Sequence, residues 1–374
     1  MTLDSAQTAD AAPAVTPTAV PRETVTLDVA LQGGGAHGAF TWGVLDRLLE
    51  EPWLEIEAAS GASAGAMNAV MLAHGLVKGD RQLAQQTLGT FWRRIADTAM
   101  EAPFGAGGRG LLDSHAYFRP LELMNPFLSP DFGRRVAESL FSGLFSPYQF
   151  NPLNWNPLLD ILRDMVDFEA LKATDRIKLF ISATRVADGE LKLFRNKDLS
   201  AEAIMASACL PELFQAVKIG GTAYWDGGYV ANPALEPLIA ETKSDDLLLI
   251  QLNPTSREAL PFSAGEISGR LNEITFNANL NAMLHGIAQL KIALTEESQS
   301  GDLKNAFFRE VQKLRLHRIA ADASSFDLGG STKRNPRWEL LRSLHDQGVA
   351  AADIWLSTHA GCLGQMSTLD CRML

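Results

Sequence analysis

The chain has 374 residues, 46% hydrophobic and 21% charged, enough for one large α/β domain or two smaller ones with a sizeable core. Its formal charge of −11 argues against a broad nucleic-acid surface, which needs clustered Lys and Arg, and no apolar stretch approaches the ~20 residues of a spanning helix. Three cysteines, Cys209, Cys362 and Cys371, include no C-x-x-C pair, which fits neither a disulfide framework nor a zinc site.

Residues 1–24 read as a disordered Ala/Thr/Pro leader. Asp4 and Asp10 stand where a secretory signal carries positive charge, and no continuous apolar segment follows them. A cytoplasmic location is expected, with peripheral membrane contact left open. Val25, Leu27, Val29 and Leu31 then alternate with Thr26, Asp28 and Ala30, the period of a strand. Apolar positions from Ala39 to Glu50 return to helical spacing. A second short strand, LEIEAAS, leads through another glycine-bracketed turn into a second helix. This β-α-β-α order points to a parallel sheet with helices on its faces.

Residues 100–158 are rich in Gly, Pro and aromatics and carry no long period, so they read as an insertion of short helices and loops. Phe104, Tyr117, Phe118, Phe127, Phe132, Phe141, Phe145 and Trp155 would there form either a lid facing lipid or the packing of a small subdomain. Strands resume with RIKLFISATRV and ELKLF, joined by a hairpin at Ala187 to Gly189. AEAIMASACLPELF predicts a helix stopped by Pro211, AVKIGGTAYWDGGY two strands joined at Gly220 and Gly221, and DDLLLIQLNP a strand for the sheet centre. Phe276, Leu280, Met283, Ile287, Leu290 and Leu294 recur at steps of three and four, which predicts a long helix packing this stripe into the core. A short alternating run, KLRLHRI, and a last helix around Trp338 to Leu356 follow.

Two glycine turns and one acid carry the chemistry. GGGAHG satisfies G-x-G-x-x-G through Gly33, Gly35 and Gly38, between a strand and a helix, where it can cradle a phosphate or aim N–H groups at an oxyanion. A dinucleotide site also needs an acid at the carboxyl end of the second strand. Glu55 and Glu57 fall early in that strand, and Ser60 and Gly61 occupy its end. There GASAG, Gly61 to Gly65, forms a G-x-S-x-G turn that would expose Ser63 at a helix N-terminus, or is simply a small-residue turn.

A nucleophilic serine needs a base. Of His37, His74, His115, His285, His317, His345 and His359, only His37 sits in a Gly-bounded loop after a strand, although a late histidine would serve a Ser-His-Asp carboxylesterase. His37, inside the glycine turn, would contact substrate or face solvent. Asp226, followed by Gly227 and Gly228, ends an apolar strand. A carboxylate within ~2.6–3.2 Å of the serine hydroxyl, partly desolvated, can take its proton.

Together, QGGGAHGAF, GASAG and DGGYVANPAL resemble the bacterial branch of the patatin-like phospholipase family over roughly residues 25–255. The resemblance implies a three-layer α/β/α fold with a mainly parallel central sheet. It also implies a calcium-independent Ser-Asp lipid acyl hydrolase without a cofactor or metal, acting on a lipid or acyl-ester substrate. In that pattern Ser63 is the nucleophile, Asp226 the general base, and the loop Gly33, Gly34, Gly35 and Gly38 the oxyanion hole, with Gly34 and Gly35 as donors. A bulky residue at Gly34 is therefore expected to be nearly as harmful as loss of Ser63. The family often has arginine where this chain has His37. The expected organisation is a leader (1–24), a catalytic domain (25–255) and a mainly helical C-terminal part (256–374) packed on it. A nucleotide-binding oxidoreductase using Gly33 to Gly38 stands as the alternative from another class.

Overall fold

The computed structural model describes residues 23–101, 146–150, 154, 156–257, 260–298, 303–321 and 332–369. The leader to residue 22, residues 102–145 of the expected insertion with their aromatic side chains, Trp155, His115 and Cys371 lie outside the described residues.

The alternation read at the start of the chain gives β1 (Val25–Leu31), which sends Leu27, Val29 and Leu31 to one face of a sheet and Ala30 to the other. Around it lie β2 (Leu54–Gly61), β3 (Lys178–Arg185), β4 (Leu191–Arg195), β5 (Val217–Ile219), β6 (Thr222–Asp226), β7 (Asp246–Gln251) and β8 (Arg315–Ala320). The order is β5-β6-β3-β2-β1-β7-β8, with β4 also pairing β3. From β3 to β8 every pair is parallel; β4, β5 and β6 join antiparallel at one side. The fold is therefore α/β with a mostly parallel sheet. β7, expected near the centre, is buried throughout but stands one strand in from the β8 edge.

Helices cover both faces. On one lie α1 (Gly38–Leu49), α2 (Ala64–Lys78), α3 (Arg81–Glu101), α4 (Pro157–Met165), α5 (Ala201–Ser207) and, from the far end of the chain, a last helix at Trp338–His359. The other face is covered by α6 (Glu236–Ala240), α7 (Ala264–Ser298) and α8 (Ala306–Lys313), so the last helix is α9. Helix α3 was not anticipated from the sequence, although Ala84, Leu88, Phe91, Trp92 and Ala96 make its buried stripe. Helix α7 packs Phe276, Leu280, Ile287 and Leu294 inward, with Met283 and Leu290 partly buried, as their spacing predicts.

The hairpin at Ala187 to Gly189 and the β5–β6 pair form as read. Helix α5 ends at Ser207, because Pro211, four residues on, has no N–H for the Ser207 carbonyl; that carbonyl and the Ser207 hydroxyl oxygen both accept from the Ser63 N–H instead, at 3.1 Å. The C-terminal helix α9 crosses α1 at a glycine on each side. A Cβ at Gly43 would overlap the His345 carbonyl, and one at Gly348 would overlap that of Phe40. This close crossing fixes the helix that leaves the glycine loop.

Candidate active site

The site forms at the carboxyl ends of β1, β2 and β7, where parallel strands release their loops together. At the end of β2 the backbone of Ser63 turns to φ 54°, ψ −124° before α2 begins. A non-glycine residue in that region is strained, and such strain gathers at functional turns. Small neighbours permit it: a Cβ at Gly61 would lie 2.5 Å from the Gly65 backbone, and one at Gly65 would overlap the Leu31 carbonyl. Ser63 therefore stands at the mouth of α2, where unpaired N–H groups favour developing negative charge.

Asp226 reaches the same place from β6. Its backbone is held on both sides, the N–H donating to the Cys209 carbonyl at 2.8 Å and the carbonyl accepting from the Thr184 hydroxyl at 2.7 Å. Oδ1 accepts from the Gly228 N–H at 2.7 Å, whereas Oδ2 is buried without a hydrogen-bond partner. Burial pushes the carboxyl up to about 7, opposed by the Gly228 N–H and by the Ser63 hydroxyl, which faces it. A base with that pKa is matched to neutral pH. Gly227 and Gly228 are needed for space: a Cβ on the first would overlap the Ser182 carbonyl, and on the second the Phe276 ring of α7.

The glycine loop lies against the serine turn. A Cβ at Gly33 would come 2.6 Å from the Ala62 carbonyl oxygen and 2.8 Å from the Ser63 Cβ. The Gly33 N–H is already used, donating to Asn232 Oδ1 at 2.6 Å. Among the described residues the N–H groups of Gly34 and Gly35 have no acceptor, so they are the donors left for a ligand. Gly35, at φ +59°, is in the region that only glycine enters freely, and a Cβ there would strike the Lys333 carbonyl. Gly34 is extended at φ −173°, and its Cβ would meet side chains alone, Leu252 at 3.1 Å and His37 at 3.6 Å. The steric demand expected at Gly34 thus falls more heavily on Gly33 and Gly35. Gly38 starts α1 with its carbonyl held by Asn68 Nδ2 at 2.9 Å, and Asn68 in turn accepts from Trp92 Nε1 at 3.0 Å.

His37 does not face solvent; it is fully buried. Its Nε2 lies 2.9 Å from Thr332 Oγ1, and burial together with Lys333 and Arg257 lowers its pKa to about 3, so the ring is neutral. The other described histidines are engaged elsewhere. His74 accepts from the Asp167 N–H, His317 pairs with Asp246, His345 with Asp46 and Asp346, and His359 stacks on Trp355, while His285 is exposed on α7. Glu55 and Glu57 lie at the start of β2 with Arg176 and Lys178, away from the glycine loop.

Sequence reasoning missed the polar residues beneath the loop. Gln32 Oε1 accepts the N–H groups of Leu252 and Asn253 at 2.8 Å, and its Nε2 donates to Asn277 Oδ1. Asn253 Nδ2 donates to the Gly33 carbonyl at 3.1 Å, and Asn232 joins Gly33 to the Phe276 carbonyl of α7. These amides are buried and fully engaged, a condition that makes a polar cluster rigid. The one available signal was Asn232 in the VANP run after the acid motif.

A family model described as patatin-like phospholipase matches residues 29–239. Among solved structures the chain is similar to VipD from Legionella pneumophila, at 16% identity and TM-score 0.40, covering 90% of this chain and 67% of that one. It is also similar to the type III effector ExoU, at 15% identity and TM-score 0.31, covering 90% and 54%. The heterodimeric ExoU–SpcU complex of Pseudomonas aeruginosa matches at 16% and TM-score 0.26, covering 90% and 76%. The chain thus spans about two thirds of the first of these and about half of the second. No curated protein matches the sequence.

Proposed function

The chain belongs to the patatin-like phospholipase family, whose chemistry is lipid ester hydrolysis, and on that premise we propose that acyl transfer here runs through Ser63 and Asp226. The observation that carries the proposal is the pairing of an unpartnered buried carboxylate oxygen with a serine held in strained backbone, beneath two N–H groups that have no acceptor. Asp226 Oδ2 takes the proton of Ser63 Oγ as that oxygen bonds to the ester carbonyl carbon. The charge that develops on the carbonyl oxygen is held by the N–H groups of Gly34 and Gly35, fixed in place by the loop before the reaction begins. Collapse of the tetrahedral species expels the alcohol part of the lipid, which leaves with the proton from Asp226. Water, deprotonated by the same carboxylate, then cleaves the acyl-serine and releases the fatty acid.

Exposed apolar side chains mark a route for the substrate. Leu260, Phe262, Ile267, Leu271 and Ile274 are exposed along the lead-in and first turns of α7, the helix whose Phe276 packs on Gly228. This face is proposed to rest transiently on a lipid surface. Among the described residues no helix is long and apolar enough to cross a membrane.

The test is incubation with mixed lipids, comparing the products of wild type and Ser63→Ala by mass spectrometry. Fatty acid and deacylated lipid that appear only with wild type support the proposal. Equal turnover by both proteins rejects it.

A further inference from the structure

The segment Thr332–Arg334 lies outside the residues that the family model matches, yet it touches the glycine loop at two points and the amide that supports the loop at a third. The Lys333 carbonyl packs on Gly35, where only a residue without Cβ leaves room. Thr332 Oγ1 meets His37 Nε2 at 2.9 Å. Lys333 Nζ donates to Asn253 Oδ1 at 2.5 Å and to Asn272 Oδ1 of α7 at 3.1 Å.

The third contact has a directional consequence. An ammonium can only donate, so it selects the oxygen end of the Asn253 amide and turns the nitrogen end away. That nitrogen is the group that donates to the Gly33 carbonyl at 3.1 Å. We propose that Lys333 is a positioning residue for the glycine loop: its ammonium orients the Asn253 amide that holds Gly33, while its backbone closes on Gly35. Burial, opposed by the charge of Glu273 and aided by that of Arg257, lowers the lysine to about 8, so at neutral pH the side chain is mainly the ammonium. Without the lysine, Asn253 is free to flip, the Gly33 carbonyl loses a donor, and the neighbouring N–H groups of Gly34 and Gly35 lose their aim. The clamp itself follows from these contacts; its effect on rate rests on the acyl-hydrolase reading.

The experiment compares wild type, Lys333→Met and Lys333→Arg in hydrogen–deuterium exchange of the peptide from Leu31 to Phe40 and in hydrolysis of a soluble short-chain nitrophenyl ester. Met is expected to speed exchange in that peptide severalfold. It should also lower kcat roughly 10- to 100-fold, as misplacement of a reacting geometry does. KM should stay within about twofold, because the lost interaction belongs to the transition state. Arg, which restores a donor, should recover part of both effects. Unchanged exchange in Lys333→Met overturns the proposal, whatever happens to the rate. Faster exchange with unaltered kcat upholds the clamp and instead removes the catalytic reading of the loop. If Lys333→Met does not fold, Thr332→Val perturbs the adjacent anchor mildly; faster exchange in the same peptide supports the clamp, and unchanged exchange refutes it.

Discussion

Asp226 and Asp28 are both buried in the central sheet, 0% and 1% exposed, and each has one carboxylate oxygen without a hydrogen-bond partner among the described residues. Burial pushes Asp226 up to about 7 and Asp28 up to about 8. Asp28, however, lies in mid-strand on β1, with its other oxygen accepting from the Thr242 hydroxyl and with Glu57 and Lys178 as its charged neighbours. The hydroxyl beside it, on Thr242, also lies against the Leu238 carbonyl and belongs to no strained glycine-bracketed turn. A raised pKa therefore does not make a site. What separates the two acids is the convergence at the carboxyl ends of the strands, which gives Asp226 a serine and a glycine loop.

The sharpest way to break that comparison is substitution. Asp226→Asn and Ser63→Ala are each expected to lower kcat/KM for a short-chain ester by about 10³-fold or more, while Asp28→Asn stays within about twofold of wild type. A loss at Asp28 equal to that at Asp226 would mean that burial, not location, controls activity. The next largest effect concerns the loop. Gly35→Ala must carry a side chain at φ +59° against the Lys333 carbonyl, so a loss of roughly 10²- to 10³-fold in kcat is expected. Gly34→Ala, extended and facing side chains and no backbone, should cost about tenfold or less.

The two acids should then converge again when stability is measured. Each has a folded pKa above the ordinary 3.8, so the folded state holds the proton more tightly than the unfolded chain does. Ionising either acid costs stability. The cost begins above pH 3.8 and is complete once pH has passed about 7 for Asp226 and about 8 for Asp28. Both Asn substitutions should consequently raise Tm by about 3 °C or more well above these values, with the gain shrinking as pH falls. Activity separates the pair once more: kcat/KM should rise with pH through about 7, because only ionised Asp226 accepts the serine proton.

The sequence made one half of this comparison readable and hid the other. Ser63 and Asp226 sit in turns whose letters are dictated by space, so Gly61, Gly65, Gly227 and Gly228 announce them. The strands around them alternate cleanly, and the long helix carries its stripe. Asp28 is only one polar letter in an alternating strand, and nothing local says that its face is covered by α6 and α7. The supports of the glycine loop are hidden for the same reason. Gln32, Asn232, Asn253 and Lys333 meet through contacts spanning many tens of residues in sequence, and an amide or a lysine carries no periodic mark. His37 was open to either environment because its burial depends on Thr332, nearly three hundred positions away. Helix α3 carries a regular buried stripe that the polar residues crowding its other face obscure.

The last expected effect bears on the two faces of α7. One face buries Phe276, Leu280 and Ile287, while Ile267, Leu271 and Ile274, with Phe262 before them, leave apolar surface in water beside the same site. If that exposed face meets lipid, its contribution enters only when the substrate is presented in a bilayer. Withdrawing a large apolar side chain from an interface forfeits about 1.5–3 kcal/mol, which corresponds to roughly a tenfold or greater loss of vesicle affinity. Phe262→Ser combined with Leu271→Ser is thus expected to reduce hydrolysis of phosphatidylcholine vesicles by about tenfold or more, while kcat/KM for a soluble short-chain ester stays within about twofold. Co-sedimentation of a Ser63→Ala background with the same vesicles separates binding from turnover. Equal losses on both substrates would place these side chains in the support of the site and not on a lipid surface, since a docking face has no part in the reaction of a molecule already in solution.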